Sequence, residues 1–103
     1  MTQVYAMYRR PADAAAFDRY YFSKHVPTAK RLPGLTGYEV TRGPVTTLDA
    51  AAAPYYLIAT LSFASRAAVQ AALASPEGAA TAGDLANFAT GGVDIFVADT
   101  EMV

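Results

Sequence analysis

The run Tyr55-Tyr56-Leu57-Ile58-Ala59-Thr60-Leu61-Ser62-Phe63 is rich in β-branched and aromatic residues, as a strand should be, yet it lacks a clearly polar face. Tyr55, Leu57, Ala59, Leu61 and Phe63 share one side, and Tyr56, Ile58, Thr60 and Ser62 share the other. A sheet covered by helices on one face only should alternate apolar and polar residues. A strand expected at Val4–Arg9 behaves similarly, with Val4, Ala6 and Tyr8 set against Tyr5 and Met7. Both faces of the sheet are therefore expected to be covered. Helices supply one cover. The other is expected to be a second copy, packed sheet to sheet in a two-fold dimer, because a bare apolar patch of that size is unusual on a monomer.

Reading outward from this strand gives the topology. Pro11-Ala12-Asp13 ends the first strand, and Asp13 is a suitable N-cap for a helix starting at Ala14. At about 100° per residue, Ala14, Phe17, Tyr21, His25, Thr28 and Leu32 fall on one stripe. Val26-Pro27 predicts a break or kink, since a residue before proline avoids the helical region. Leu32-Pro33-Gly34 closes the element with a turn. A second strand is expected from about Thr36 to Val45, then a loop of low complexity from Leu48 to Pro54, then the third strand from Tyr55 to Ala64. Ser65 caps a short helix that turns Val69, Ala72 and Leu73 inward. Ser75-Pro76-Glu77 starts another, with a cap, a proline in the first turn and an acid beside it. That helix carries Leu85 and Phe88 and stops at Gly91-Gly92, before a last strand from Val93 to Ala98. The order β-α-β-β-α-β predicts an α+β, ferredoxin-like sandwich with a four-stranded antiparallel sheet, as a single domain over residues 1–103.

Composition removes several classes of function. Of 103 residues, 53% are hydrophobic and 17% charged, with a net charge of −1, so neither a disordered segment nor a nucleic-acid binder is expected. The absence of cysteine excludes thiol chemistry and a disulfide framework, and a lone histidine makes no usual metal site. The N-terminus lacks a basic region followed by an apolar run, and no stretch is long enough to span a membrane. A cytoplasmic protein is expected. Gly91-Gly92 lacks the context and the lysine of a phosphate loop, and no nucleotide or flavin motif is present, so no cofactor is expected.

His25 is the side chain whose ordinary pKa lies nearest neutrality. On an apolar stripe, one turn after Tyr21, it suits a general base for a proton next to a carbonyl or on a phenol. It equally suits a buried histidine tied to a backbone carbonyl. Phe17 and Tyr21 share its stripe, and Lys24 at the stripe's edge offers a cation to an anionic or carbonyl substrate or snorkels to solvent.

Tyr21-Phe22-Ser23-Lys24-His25-Val26-Pro27, Leu32-Pro33-Gly34-Leu35 and Gly37-Tyr38-Glu39-Val40 together resemble the EthD family, named for a role in ethyl tert-butyl ether degradation. Tyr8-Arg9-Arg10-Pro11, Phe63-Ala64-Ser65 and Ser75-Pro76-Glu77-Gly78 agree with that resemblance. It implies the dimeric α+β barrel, a fold group that includes cofactor-free muconolactone isomerases and methylisomerases, polyketide cyclases and quinone-forming monooxygenases. It implies catalytic roles for His25 as acid/base and Tyr38 as the orienting hydroxyl. Tyr21, Phe17 and Lys24 would then bind substrate. A further histidine that EthD-like methylisomerases carry before the third strand has no counterpart here, where Ala51-Ala52-Ala53-Pro54 stands. The function implied is a small cofactor-independent enzyme, or an accessory to an oxygenase pathway. It would act on an apolar aromatic, lactone or polyketide-like molecule. The alternatives are a non-catalytic carrier or stress-associated binding module for such a molecule, and a dimer with a filled core. The first two require a cavity of roughly 300 Å³ or more beside His25.

Overall fold

Each long helical segment starts where its cap residue stands. Asp13 accepts a hydrogen bond from the Ala16 amide at 3.1 Å, Ser65 from Ala68 at 3.1 Å and Ser75 from Gly78 at 3.0 Å. Such a cap contributes about 1 kcal/mol by satisfying a helix-end N–H group. In the computed structural model, which describes residues 1–103, these starts lead into α1 (Ala14–Tyr20), α3 (Arg66–Ala74) and α4 (Pro76–Asp84). α1 continues through a π turn (Tyr21–His25) into α2 (Val26–Ala29), and α4 into a 3-10 turn (Leu85–Asn87). The strands are β1 (Thr2–Arg9), β2 (Gly37–Val40), β3 (Tyr55–Phe63) and β4 (Val93–Asp99). They form one antiparallel sheet in the order β2-β3-β1-β4, so the fold is the α+β ferredoxin-like one. No helix is long and apolar enough to cross a membrane.

The core lies between the sheet and the helices. Ala6, Tyr8, Leu57, Ala59, Leu61 and Phe63 rise from the sheet to meet Phe17, Tyr21, Ala29, Leu32, Val69 and Phe88. Gly78 lets α3 and α4 turn sharply against each other: a Cβ there would lie 2.2 Å from the Ala72 carbonyl oxygen. The obstacle is backbone, so it cannot swing aside. Gly78→Ala is expected to lower stability by about 1–3 kcal/mol. Urea unfolding checks this, and an unchanged midpoint would mean that the helix pair yields freely.

Five details differ from the sequence reading. Pro27 does not break the helix. Val26 is helical (φ −57°, ψ −49°), and its amide bonds the Tyr21 carbonyl, five residues back. The wider turn spares the proline ring a clash with the carbonyl four residues before it. It also absorbs one residue of helical drift. Phe17 and Ala29 would lie about 120° apart on a straight α-helix, but only about 20° apart once one residue is taken up by the π turn. Ala29 is accordingly buried where α periodicity placed Thr28, whose hydroxyl instead donates to the Lys24 carbonyl.

The first two residues of β3 also exchange sides. Tyr8 pairs with Leu57 but Arg9 pairs with Tyr55, a bulge that leaves Tyr56 extra. Tyr56 therefore turns under α1, edge-on to Phe17 with its hydroxyl on Asp18, while Tyr55 turns to the open face and donates to Asp94.

β2 stops at Val40 rather than Val45, because Gly43 (φ +79°) and Pro44 cannot continue the ladder. Leu73, expected inside, is 54% exposed. The open sheet face is also more mixed than expected. Tyr5, Met7, Ile58 and Phe96 share it with the Arg9–Asp94 ion pair and the Ser62–Gln3 hydrogen bond, both 2.6 Å.

Candidate functional site

The buried stripe of the first helical layer ends in an imidazole. Phe17, Tyr21 and His25 each sit four residues apart, and the π turn keeps the last two on the side that faces the sheet. His25 is 3% exposed and Tyr21 fully buried. Their rings lie 5.3 Å apart, and Phe88 packs 4.6 Å from the imidazole on the other side.

Asp84, at the end of α4, holds the histidine. His25 Nδ1 and Asp84 Oδ2 are 2.9 Å apart, while Tyr20 donates to Oδ1 at 2.5 Å and Asn87 at 3.0 Å. Burial pushes the Asp84 pKa up, but the donors from Tyr20, Asn87 and His25 outweigh it and leave the pKa below its ordinary value. Burial lowers the pKa of His25, and Asp84 opposes this without cancelling it. At neutral pH the pair is thus a carboxylate and a neutral imidazole. A carboxylate only accepts, so Nδ1 carries the proton and Nε2 keeps its lone pair. Nε2 makes no hydrogen bond, and no fully buried side-chain nitrogen or oxygen in the protein lacks one, so Nε2 reaches open space.

His25 lines a cavity of about 120 Å³ together with Tyr8, Tyr21 and Tyr38 and otherwise mostly apolar side chains such as Leu61, Val69 and Leu85. Tyr38 comes from β2, where it pairs with Leu61 and so points to the helix side. Its hydroxyl lies 2.7 Å from that of Tyr21. Burial pushes the pKa of Tyr8, Tyr21 and Tyr38 upward, so all three remain phenols and can donate. Leu73 and Ile95, both about half exposed, line the same cavity and mark its mouth. The volume falls short of the expected 300 Å³ because the aromatic side chains fill the middle of the layer. An apolar cavity of about 150 Å³ accepts benzene, so a single ring is the scale that fits.

His25, Tyr21 and Tyr38 thus converge. Phe17 stands behind Tyr21, stacked 5.6 Å from it, and does not line the cavity. Lys24 is exposed and lies outside it. Asp84 and Tyr8 were not anticipated. Asp84 had one signal, since an acid in a helix's last turn opposes the macrodipole and needs a local reason. No group of three or more histidine, cysteine, aspartate or glutamate side chains is arranged to hold a metal.

The pair predicts how stability depends on acid. The folded pKa of His25 lies below its ordinary 6.5, so the unfolded chain binds the proton more readily. Its contribution to stability is complete above pH 6.5 and is lost as pH falls through the lowered folded value. Asp84 adds a second loss of the same sign below its ordinary 3.8. Urea midpoints measured from about pH 7.5 downward should decline from just below 6.5, and His25→Gln should flatten that first decline. An equal decline in the variant would assign it elsewhere.

Residues 9–92 match the EthD domain. An uncharacterized 11.0 kDa protein in the thcB-thcC intergenic region of Rhodococcus erythropolis is 43% identical over 103 residues, covering 100% of this chain and 98% of the relative. The crystal structure of an ethyl tert-butyl ether degradation (EthD) family protein from Bacillus halodurans c-125 superposes with a TM-score of 0.89 at 28% identity, over 98% of this chain and 99% of that one. A cofactor-independent oxygenase from Streptomyces nogalater shares the fold, with a TM-score of 0.65 at 18% identity over 99% and 93% of the two chains. The domain match takes in the His25 helix, the Tyr38 strand and Asp84 together, and the chain belongs to the EthD family.

Proposed function

We propose that this protein binds one small apolar ring compound, a lactone or an aromatic ketone, and moves a proton on it. Nε2 of His25 takes a proton from the carbon beside the carbonyl. The electron pair of that C–H bond passes to the carbonyl oxygen, and the enolate receives a hydrogen bond from the Tyr38 or Tyr21 phenol. Return of the proton to the same or another carbon completes the exchange. Asp84 touches no substrate in this scheme and acts by positioning, fixing the imidazole tautomer. Neither Lys24 nor Phe17 takes part. The single observation that supports the reading is a cavity-lining imidazole whose Nδ1 is tied to a carboxylate while Nε2 stays free of hydrogen bonds.

The test is NMR of ring lactones and aryl ketones in heavy water, with and without the protein. Protein-dependent deuterium uptake beside the carbonyl is expected for at least one. Tight binding without any exchange would favour the second reading, a carrier, for which the largely apolar lining speaks.

We further propose that two copies pair through the open sheet face. Phe96 stands 56% exposed there beside Tyr5 and Met7. Sedimentation at micromolar concentration should give twice the mass of the 10.9 kDa chain, and a well-folded monomer would refute the pairing.

A further inference from the structure

A second recess opens where the sheet meets the start of the π turn. It measures about 330 Å³, and its walls come from the Thr41–Val45 segment, the first residues of β3 and the outer side of the helix at Phe22. It shares no lining residue with the His25 cavity. Its wall after β2 is anchored: the Thr41 amide bonds the Ile58 carbonyl at 3.0 Å, Thr41 Oγ1 accepts from the Ile58 amide at 3.0 Å, and Ala53 bonds Val45 at 3.1 Å.

Two guanidinium groups border it. Arg42 lies over the Phe22 ring, 4.2 Å from its centroid, and Arg10 over the Tyr56 ring at 5.6 Å. Neither forms an ion pair or a hydrogen bond with another side chain, although Arg9 and Arg66 both pair with aspartates. Stacking on aromatic faces holds the two side chains in place and leaves their N–H groups unspent. Tyr56 registers both charges. Burial and Asp18 raise its pKa, and Arg10 and Arg42 both pull it down. Asp18 is the one acid in the recess, and it accepts from the Tyr56 hydroxyl at 2.9 Å. Two cations and one carboxylate leave a net single positive charge, flanked by aromatic walls.

We propose that this recess is a binding site for a monoanion on an aromatic body, an aryl carboxylate. Its carboxylate is held by Arg10 and Arg42, and its ring lies among Phe22, Tyr56 and Leu57. A planar carboxylate matches the fork of a guanidinium, and the single charge matches the balance of the site. The site is separate from the proton-transfer reading and stands whether or not that reading holds.

The probe is benzoate, titrated into isotopically labelled protein, with benzyl alcohol as its uncharged counterpart. Saturable shifts are expected at the Thr41, Arg42 and Gly43 amides. Arg42→Gln and Arg10→Gln should each weaken benzoate binding about tenfold, as loss of a charged hydrogen bond does. Both arginines are exposed, so the variants should keep the wild-type spectrum elsewhere. Equal affinity for benzyl alcohol would overturn the proposal. So would no saturation below about 10 mM, unchanged affinity in both variants, or shifts confined to Leu61 and Val69 in the inner cavity.

Discussion

His25→Ala is expected to lower proton exchange on any ring ketone or lactone that the wild-type protein processes by about 10²–10⁴-fold, the usual contribution of a positioned general base. The expectation follows from the division of labour on the imidazole. Nδ1 is held by Asp84, Nε2 is free of hydrogen bonds, and the residue lines the cavity. Alanine removes the lone pair and leaves Asp84 with its two other donors, Tyr20 and Asn87. The fold should therefore persist, which circular dichroism verifies. Asp84→Asn keeps the size of the side chain and removes the charge that selects the tautomer. Its effect should appear as a shifted pH profile together with a lowered kcat. If the alanine variant exchanges at the wild-type rate, His25 belongs to the architecture alone.

The second large effect is on stability. Phe88 is 4% exposed and touches five other rings: Tyr8, Phe17, Tyr20, Tyr21 and His25, at centroid distances of 4.6–5.6 Å. Truncating such a phenylalanine removes its transfer free energy and leaves a hole that five ring systems cannot all lean in to fill. Phe88→Ala is expected to lower stability by about 3–5 kcal/mol. That is a large share of the roughly 5–15 kcal/mol typical of a domain. Chemical unfolding measures it directly, and a loss below about 1 kcal/mol would mean that the cluster re-closes. Phe88→Leu should recover part of the loss.

Elements whose signal is local were legible in the chain. Runs rich in β-branched and aromatic residues marked β1 and β3, and the side-chain oxygens of Asp13, Ser65 and Ser75 marked the helix starts where they are found. What escaped was set by neighbours distant in sequence. Nothing in Tyr55-Tyr56 reveals that Arg9 pairs one residue out of step, so their sides were interchanged. Pro27 forbids an ordinary α turn, but whether the chain then breaks or widens depends on whether the downstream residues can dock, and Ala29 can. His25 and Tyr38 were found as residue types in a recognisable run. Asp84 lies 59 positions from His25, and only the packing of α4 against the first helical layer joins them. The cavity's size is the least legible of all, because it is what remains after many side chains have taken their places.

Leu73 and Ile95 give the inner cavity a threshold with its own selectivity. Each leaves about half its surface in water at the place where a molecule must enter. An apolar visitor gains there before it has found any shaped contact, since its approach releases water from both partners. A charged visitor gains nothing and begins to lose hydration at once. The rate of entry should therefore follow oil–water partitioning, whereas residence should follow the hydroxyl and imidazole groups deeper in. Two molecules of equal size and equal final affinity would then be told apart by arrival alone.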